Sequence, residues 1–216
     1  MSDFLYGGFI PEIKFNNPAK PTYKECLSCF TEYLKSVPFF SSNDWNNLED
    51  YWEYFHLSKN NPIVLPGEIC EHIVFICRGA VKHYTENISG KYIITFATEG
   101  YFCTAIPSFL NQAKAKDGLI CVKSTFGLKI SLPNYKKLSA EHPAFEQLFQ
   151  KISEEELLRL VNRLTSFQST DAKGRYDLLM QQNSSVFNHF TMLDISNYLG
   201  IKPETLSRLR SEKRNL

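Results

Sequence analysis

The sequence predicts an α+β fold, in which helices flank a central set of short antiparallel strands and a helix-turn-helix closes the chain. Three observations support this prediction. Runs rich in Val, Ile, Phe and Tyr are separated every ten to twelve residues by a glycine, at Gly67, Gly79, Gly90 and Gly100. In the second half, apolar residues recur in three- and four-residue steps. Near the end, two short amphipathic segments flank Gly200.

The composition indicates a globular protein and favours no particular partner. Of its 216 residues 43% are hydrophobic, and 24 basic residues nearly cancel 23 acidic ones. No apolar run reaches the roughly 18–20 residues that a membrane helix needs, and the N-terminus lacks the basic and apolar regions of a signal peptide. We therefore expect a cytoplasmic protein without membrane contact, whose six cysteines are free thiols.

The N-terminal part predicts a loosely ordered arm over residues 1–22, followed by two lead helices. Between residues 22 and 54 the apolar spacing is helical, and Pro38 divides it into two halves, the second of which Ser42 or Asn43 can cap. The apolar positions are Leu27, Phe30 and Leu34, then Trp45, Leu48, Trp52 and Phe55.

From Asn60 to about Leu132 the pattern changes to short strands. Apolar and polar residues alternate between the glycine turns, as they do from Tyr92 to Phe96. Strands this short and this regularly spaced are typical of an antiparallel barrel or sandwich and not of βαβ units.

Helical periodicity returns at Pro133, and one long helix is predicted from near Pro143 to around Gln168. Its apolar residues follow a three-four-three spacing, as a coiled-coil seam does. The seam consists of Leu157, Leu160, Leu164 and Phe167. Two interpretations remain: a core helix that packs on the strands, or a dimerisation helix. The length and the narrow apolar stripe favour dimerisation.

The last segment predicts a helix-turn-helix. Thr191 can cap a helix with Asp194 three residues later, Gly200 can end that helix in a left-handed conformation, and Pro203 suits the first turn of the next. Ser196 is small where the two helices approach most closely. The apolar residues of the crossing are Ile195, Leu199, Ile201, Leu206 and Leu209.

The second of these helices carries an excess of positive charge. Residues 201–216 contain five basic and two acidic side chains, a net charge of +3, whereas the whole chain has +1. Basic side chains neutralise DNA phosphates, Arg can bind guanine with two hydrogen bonds, and Glu can accept one from cytosine. A solvated helix face would explain the charges but not the glycine turn. We therefore predict DNA binding through Thr191, Lys202, Glu204, Thr205, Ser207, Arg208 and Arg210.

The segment GIKPETLSR, residues 200–208, resembles the recognition helix of the Crp/Fnr family of bacterial transcription regulators. In that family a Glu, and an Arg four residues later, read base edges, and the Fnr-like branch has a Ser just before the Arg. Glu204, Ser207 and Arg208 stand at those positions. The resemblance covers about residues 33–212, and many members from Bacteroidetes-like bacteria look like this chain.

The resemblance implies a domain order and a set of partners. Residues 23–142 would form a β-roll of the cyclic-nucleotide-binding type, a jelly roll or double-stranded β-helix, with lead helices. Residues 143–168 would be the dimerisation helix, and 169–216 the helix-turn-helix domain. A homodimer on a palindromic operator is expected, with RNA polymerase as a further partner. The competing prediction is a ligand-binding or protein-interaction module that does not bind DNA.

Two features depart from the family pattern. Members that bind cyclic AMP carry Gly-Glu and then Arg-Ser or Arg-Thr in the roll, where this chain has Thr104-Ala105 and Gly118-Leu119. The Arg that would pair with the phosphate is therefore missing, and we predict no cyclic AMP binding. The chain also ends soon after the recognition helix, so we expect little of the usual wing, and any strand of that domain around residues 185–187. The effector pocket is predicted at Tyr101, Thr104, Ser108 and Lys123.

The sequence predicts no metal, no cofactor and no catalysis. Cys26 and Cys29 form a C-x2-C pair, and the Fnr branch holds an iron–sulfur cluster with N-terminal cysteines, but such a cluster needs four thiolates and no second close pair exists. The five histidines lack ligand spacing, and no nucleophile, metalloprotease or phosphate-loop motif is present. An unidentified small-molecule effector is the expected ligand.

Overall fold

The computed structural model describes residues 20–41, 48–88 and 90–214, and it confirms the α+β fold. Within these ranges eight strands form two four-stranded antiparallel sheets, with the orders β1-β8-β3-β6 and β2-β7-β4-β5. The strands are β1 (Glu53–Leu57), β2 (Pro62–Val64), β3 (His72–Arg78), β4 (Val81–Asn87), β5 (Gly90–Ala97), β6 (Phe102–Cys103), β7 (Asp117–Cys121) and β8 (Thr125–Ser131).

The two sheets enclose one hydrophobic core, which makes the β-roll. Phe75 and Leu128 from the first sheet and Val81 and Leu119 from the second are fully buried in it. The four predicted glycine turns lie between strands or at a strand end, as expected. At Gly79 the backbone φ is +116°, and an added Cβ would lie 2.6 Å from the Thr125 hydroxyl oxygen, so only glycine fits this turn.

Eight helices surround the roll and continue beyond it in the described part of the chain. They are α1 (Tyr23–Lys35), α2 (Ile106–Asn111), α3 (Leu132–Glu141), α4 (Pro143–Ser169), α5 (Ala172–Asn183), α6 (Val186–His189), α7 (Met192–Leu199) and α8 (Pro203–Arg214). Helix α1 begins at a capping box between Thr22 and Glu25 and packs on β3 and β8, where the ring centroids of Phe30 and Phe75 are 4.9 Å apart.

The prediction that the second lead helix continues to Phe55 is wrong. After a single 3-10 turn over Leu48–Asp50, the chain enters β1, which pairs with β8 so that Phe55 lies opposite Gly127. This long-range pairing outweighs the helical spacing that ends at Trp52 and Phe55. The caps proposed at Ser42 and Asn43, the apolar position Trp45 and most of the N-terminal arm lie outside the described residues.

A strand around residues 185–187 was predicted, and this prediction is also wrong. Val186–His189 form the short helix α6, with Val186 fully buried, and the described strands all lie between residues 53 and 131. Because α6 packs its apolar side directly into the core of the C-terminal helices, no small sheet is required there.

The long helix α4 extends over 27 residues, from Pro143 to Ser169, close to its predicted bounds. Its N-terminal third is a core helix, in which Phe145, Leu148 and Phe149 are buried. The predicted seam is exposed further along, at 61% for Leu157, 40% for Leu160, 63% for Leu164 and 41% for Phe167. Although α4 is long, neither it nor another helix of the described ranges is apolar enough to cross a membrane.

A second hydrophobic core joins the roll to the C-terminal helices. Tyr84, Ile93 and Phe96 come from β4 and β5, and the ring centroid of Phe96 lies 4.2 Å from that of Phe190 and 5.0 Å from that of Tyr198. The C-terminal side consists of Tyr176, Leu179, Val186, Phe190, Ile195, Leu199, Leu206 and Leu209. The helix-turn-helix is therefore docked on the roll.

Candidate nucleic-acid interface and effector cavity

The ends of α7 have the predicted geometry. The Thr191 hydroxyl oxygen accepts a hydrogen bond from the Asp194 backbone N–H at 3.1 Å, and the Asp194 carboxylate accepts from the Thr191 backbone N–H at 3.4 Å. At the other end Gly200 has φ +64° and ψ +39°, the left-handed conformation that ends a helix. The capping box and the glycine turn are confirmed.

The crossing of α7 and α8 is packed as the sequence indicates. Ser196 is fully buried, and its carbonyl accepts a hydrogen bond from the Ile201 N–H at 3.0 Å. Of the five predicted apolar residues Ile201 is half-buried, and the others are buried: Ile195, Leu199, Leu206 and Leu209. The two helices therefore form a compact helix-turn-helix.

The residues predicted to contact DNA lie mostly on the outer face of α8. Lys202, Glu204, Ser207 and Arg208 are exposed, whereas Thr205 is half-buried. Residues three and four apart share a helix face, so Glu204, Ser207 and Arg208 lie side by side. The Arg208 side chain is 71% exposed and is 3.9 Å from the Glu212 carboxylate, a distance at which an exposed ion pair contributes little.

Two of the predicted contact residues have structural partners within the domain. Arg210 is half-buried, its guanidinium lies 4.9 Å from the ring centroid of Phe187, and one of its nitrogens is 3.0 Å from the Met192 sulfur. Arg210 therefore packs against the neighbouring helices α6 and α7 and does not belong to the outward-facing set of predicted contact residues. The Thr191 hydroxyl donates to the Asp194 carboxylate at 2.8 Å, although the residue is exposed.

A cavity of about 500 Å³ lies between the roll and the long helix α4. Two residues of the predicted effector pocket, Tyr101 and Thr104, line it. The other two do not. Ser108 is buried, and its hydroxyl is held between the Cys70 N–H at 2.8 Å and the Ala113 carbonyl. Lys123 instead donates a hydrogen bond to the Asn188 carbonyl at 3.0 Å, at the junction with α6.

Two hydrogen-bonded pairs of ionisable side chains lie in the cavity wall and were not predicted. His83 on β4 is hydrogen-bonded to Asp117 on β7, and this bond lowers the pKa of the Asp117 carboxyl group although burial opposes it. On α4, Arg159 donates to Glu156 one turn earlier, with 2.8 Å between the Arg159 Nε and Glu156 Oε2 atoms. His83 and Asp117 are 34 residues apart, so only strand pairing brings them together.

Further polar contacts connect the roll and α4 to the helix-turn-helix. Arg163 on α4 donates to the carbonyls of Ile94 at 2.7 Å, Ile93 at 2.8 Å and Tyr198 at 3.0 Å. Lys82 on β4 forms an ion pair with Asp194 on α7, with 2.6 Å between the nitrogen and the carboxylate oxygen. The contacts of Arg163 and Lys82 were not predicted, because their partners lie 35 to 112 residues away and leave no local signal.

The six cysteines are free thiols, and all of them are buried. Cys77 on β3 lies against Cys26 and Cys29 on α1, and burial raises the pKa of the Cys77 thiol well above its usual value. In the parts of the chain that the structure describes, no group of three or more His, Cys, Asp or Glu side chains is arranged to hold a metal ion.

The order of roll, long helix and helix-turn-helix is the fold of the Crp/Fnr regulators. No protein-family model and no curated protein matches the sequence. FixK2 from Bradyrhizobium japonicum has a TM-score of 0.65 at 17% identity, over 76% of this chain and 85% of that one. The c-di-GMP responsive global regulator CLP of Xanthomonas campestris has a TM-score of 0.63 at 12% identity, over 81% of this chain and 92% of that one.

A candidate transcriptional regulator of the crp/fnr family from Eubacterium rectale has a TM-score of 0.59 at 13% identity, over 79% of this chain and 82% of that one. Identities this low establish the fold, and the predicted Crp/Fnr architecture is thereby confirmed. The likeness to members from Bacteroidetes-like bacteria stays a prediction, as do the domain bounds.

Proposed function

We propose that the protein is a homodimeric, sequence-specific DNA-binding transcription regulator of the Crp/Fnr type, whose β-roll senses a small molecule. The observation that carries this proposal is the outer face of α8. Glu204, Ser207 and Arg208 are exposed together there, and Lys202 is exposed just before the helix. The helix is held by a buried crossing and a left-handed turn at Gly200. The fold shared with FixK2 and CLP supports the same reading.

We assign the roles on this face by side-chain chemistry. Glu204 and Arg208 would read base edges in the major groove, and Ser207 and Thr205 would contact bases or phosphates. Lys202 precedes α8 and would bind a phosphate near the positive end of that helix. Arg210 has no assigned contact, because Phe187 and Met192 hold it within the domain.

The exposed seam of α4 supports the proposed dimer. A second copy that covers Leu157, Leu160, Leu164 and Phe167 would remove four large apolar side chains from water. A two-fold dimer would set two copies of α8 about 34–36 Å apart, one turn of DNA, and would select a palindromic operator. RNA polymerase would be a further partner at the promoter.

The experiment that tests DNA binding begins with selection from a randomised duplex library by the purified protein, followed by sequencing. A palindrome should be enriched, and its affinity, measured by fluorescence anisotropy, should fall steeply with salt because bound phosphates release counterions. Replacing Arg208 by Ala should cost about 1–3 kcal/mol on this site and relax the base preference at one position of each half-site.

The matched control is Lys59→Ala, which removes an exposed charge on the roll between β1 and β2 and should leave both affinity and preference unchanged. Binding that is insensitive to salt, with no enriched sequence, would favour the alternative of a ligand-binding or protein-interaction module without DNA contact.

The proposal includes no cyclic AMP binding, no catalysis and a cytoplasmic location. Gly118 occupies the approximate position of the phosphate-pairing Arg, and its Cβ position lies 2.7 Å from the Tyr84 ring, so a longer side chain would not fit there. Titration calorimetry with cyclic AMP should show no saturable heat, and tight uptake would contradict this part of the proposal.

A further inference from the structure

The lining of the cavity between the roll and α4 is mainly apolar and aromatic. Seven of the lining side chains are aromatic, and its volume of about 500 Å³ is in the range of small-molecule sites. Phe102, Phe109 and Phe149 come from three different elements of the roll and of α4, so rings face the space from several sides. Such walls favour a planar, aromatic ligand through apolar burial and ring contacts.

The cavity offers no free positive charge to an anion. Arg159 is the one guanidinium of its lining as the structure describes it, and no lysine lines it. The Nε and Nη2 atoms of Arg159 donate to Glu156, whereas its Nη1 atom has no hydrogen-bond partner among the described residues and no exposed surface that a ligand could reach. The Glu156 carboxylate therefore balances the charge of Arg159, and a phosphate or carboxylate of a ligand would find no unpaired positive side chain in this lining.

Negative charge prevails in the same lining. Asp117, Glu155 and Glu156 contribute carboxyl groups. Asp117 stays ionised at neutral pH because its bond to His83 lowers the pKa, and its side chain is only 17% exposed. A carboxylate has about four lone-pair sites, so Asp117 can accept a second hydrogen bond from a ligand while it holds His83.

We propose that the cavity binds an uncharged aromatic molecule that donates a hydrogen bond to Asp117, and that it rejects anions, nucleotides included. The proposed function supplies the role of this molecule, that of effector, but its binding is a property of the roll and α4 alone. It can therefore be tested without DNA.

A matched pair of fluorescent probes tests the charge selectivity. N-phenyl-1-naphthylamine is neutral, aromatic and carries one N–H donor, and 8-anilinonaphthalene-1-sulfonate has the same framework with an added sulfonate. The neutral probe should bind the full chain saturably, at one site per chain, and about tenfold or more tightly than the sulfonate. Equal or tighter binding of the sulfonate in the cavity would overturn the proposal.

Two substitutions locate the probe. Ile94→Trp and Leu110→Trp each place an indole in the lining, and each should weaken binding of the neutral probe about tenfold by filling the space. Ile88→Trp is the control, since this fully exposed residue between β4 and β5 lies outside the lining and should leave binding unchanged. Leu110 is 52% exposed, so its variant should fold even if Ile94→Trp does not.

A third substitution tests the carboxylate. Asp117→Asn removes the negative charge and should reduce the preference for the neutral probe over the sulfonate several-fold. Unchanged binding of the neutral probe in both tryptophan variants, or an unchanged preference in Asp117→Asn, would refute the assignment. Either result leaves the selection of a DNA sequence by the wild-type protein unaffected, so the two proposals fail separately.

Discussion

At the scale of single residues, Arg163 connects the long helix to both the β-roll and the helix-turn-helix. It belongs to α4, and its guanidinium reaches two carbonyls of β5 and one of α7. Strand β5 is an edge strand, and its register with β4 shifts at Ile94, which turns backbone carbonyls away from the ladder. Arg163 satisfies those carbonyls, and the Tyr198 ring lies 4.2 Å from its guanidinium carbon.

We predict that Arg163→Lys lowers the free energy of unfolding by about 2–3 kcal/mol, because a lysine ammonium group lacks the planar fork of donors with which the guanidinium binds three carbonyls. Urea denaturation followed by circular dichroism measures this change. Arg208→Lys, at a site 71% exposed, is the matched control and should stay within about 0.5 kcal/mol of wild type. Equal effects of the two substitutions would show that the Arg163 contacts add no stability.

Asp117 gives a pH dependence at the same scale. Its pKa in the folded protein lies below the ordinary value of 3.8, mainly because of the hydrogen bond from His83. The bond therefore stabilises the fold above about pH 4 and loses this effect as the pH falls through the folded-state pKa. Asp117→Asn should be less stable than wild type at pH 6. The difference in stability should shrink as the pH falls from about 4 through the folded-state pKa of Asp117.

Urea titrations at a series of pH values measure this difference. Glu71→Gln, at an exposed position just before β3, is the control and should show no comparable convergence. A difference between wild type and Asp117→Asn that is constant from pH 6 to about pH 3 would contradict the assigned role of the pair.

At the scale of secondary-structure elements, the turn between α7 and α8 depends on a glycine for two reasons. Gly200 has a positive φ, and a Cβ at this position would lie 2.6 Å from the Phe167 ring of α4. Gly200→Ala should therefore lower the free energy of unfolding by about 1–3 kcal/mol, through backbone strain and displacement of the ring.

Gly67→Ala separates these two causes, because Gly67 has φ +92° and nothing lies within 4 Å of its Cβ position. It should show the cost of backbone strain without a steric contact. Phe167→Leu combined with Gly200→Ala should recover part of the loss in a double-mutant cycle. If Gly200→Ala costs the same stability in wild type and in Phe167→Leu, contact with the Phe167 ring does not contribute.

The sequence predicted correctly those elements that are determined by residues close together in the chain. Helices α1, α4 and α7 were placed closely because the determinants used, the apolar spacing and the cap Thr191 of α7, lie within a few residues of each other. Strand β1 was read as helix, since its pairing with β8 joins Phe55 to Gly127, 72 residues away. The same applies to the site: the exposed face of α8 was predictable, but Arg163 and the pair His83–Asp117 were not.

At the scale of the whole molecule, the seam of α4 determines the proposed assembly. Leu164→Glu introduces a charge at a position that is 63% exposed in the single chain, so the fold should tolerate it. A charge buried between two helices would be strongly unfavourable. We therefore expect the dimer dissociation constant to rise at least about 100-fold. Sedimentation velocity at several concentrations measures the oligomeric state.

Ile88→Glu, on the turn between β4 and β5, is the control for this experiment and should leave the dimer intact. A wild-type chain that sediments as a monomer at all concentrations, or a Leu164→Glu variant that remains dimeric, would exclude the seam as the dimer interface.

The second hydrophobic core, between the β4–β5 hairpin and the C-terminal helices, also limits how this chain can be recombined. Phe96 and Phe190 are buried there and the half-buried Tyr198 packs against Phe96, although these residues lie on both sides of the long helix in sequence. A chimera that grafts residues 169–216 onto another β-roll would expose half of this core to water. Exchange of DNA specificity between relatives would therefore require the β4–β5 surface to be transferred together with the reading helix.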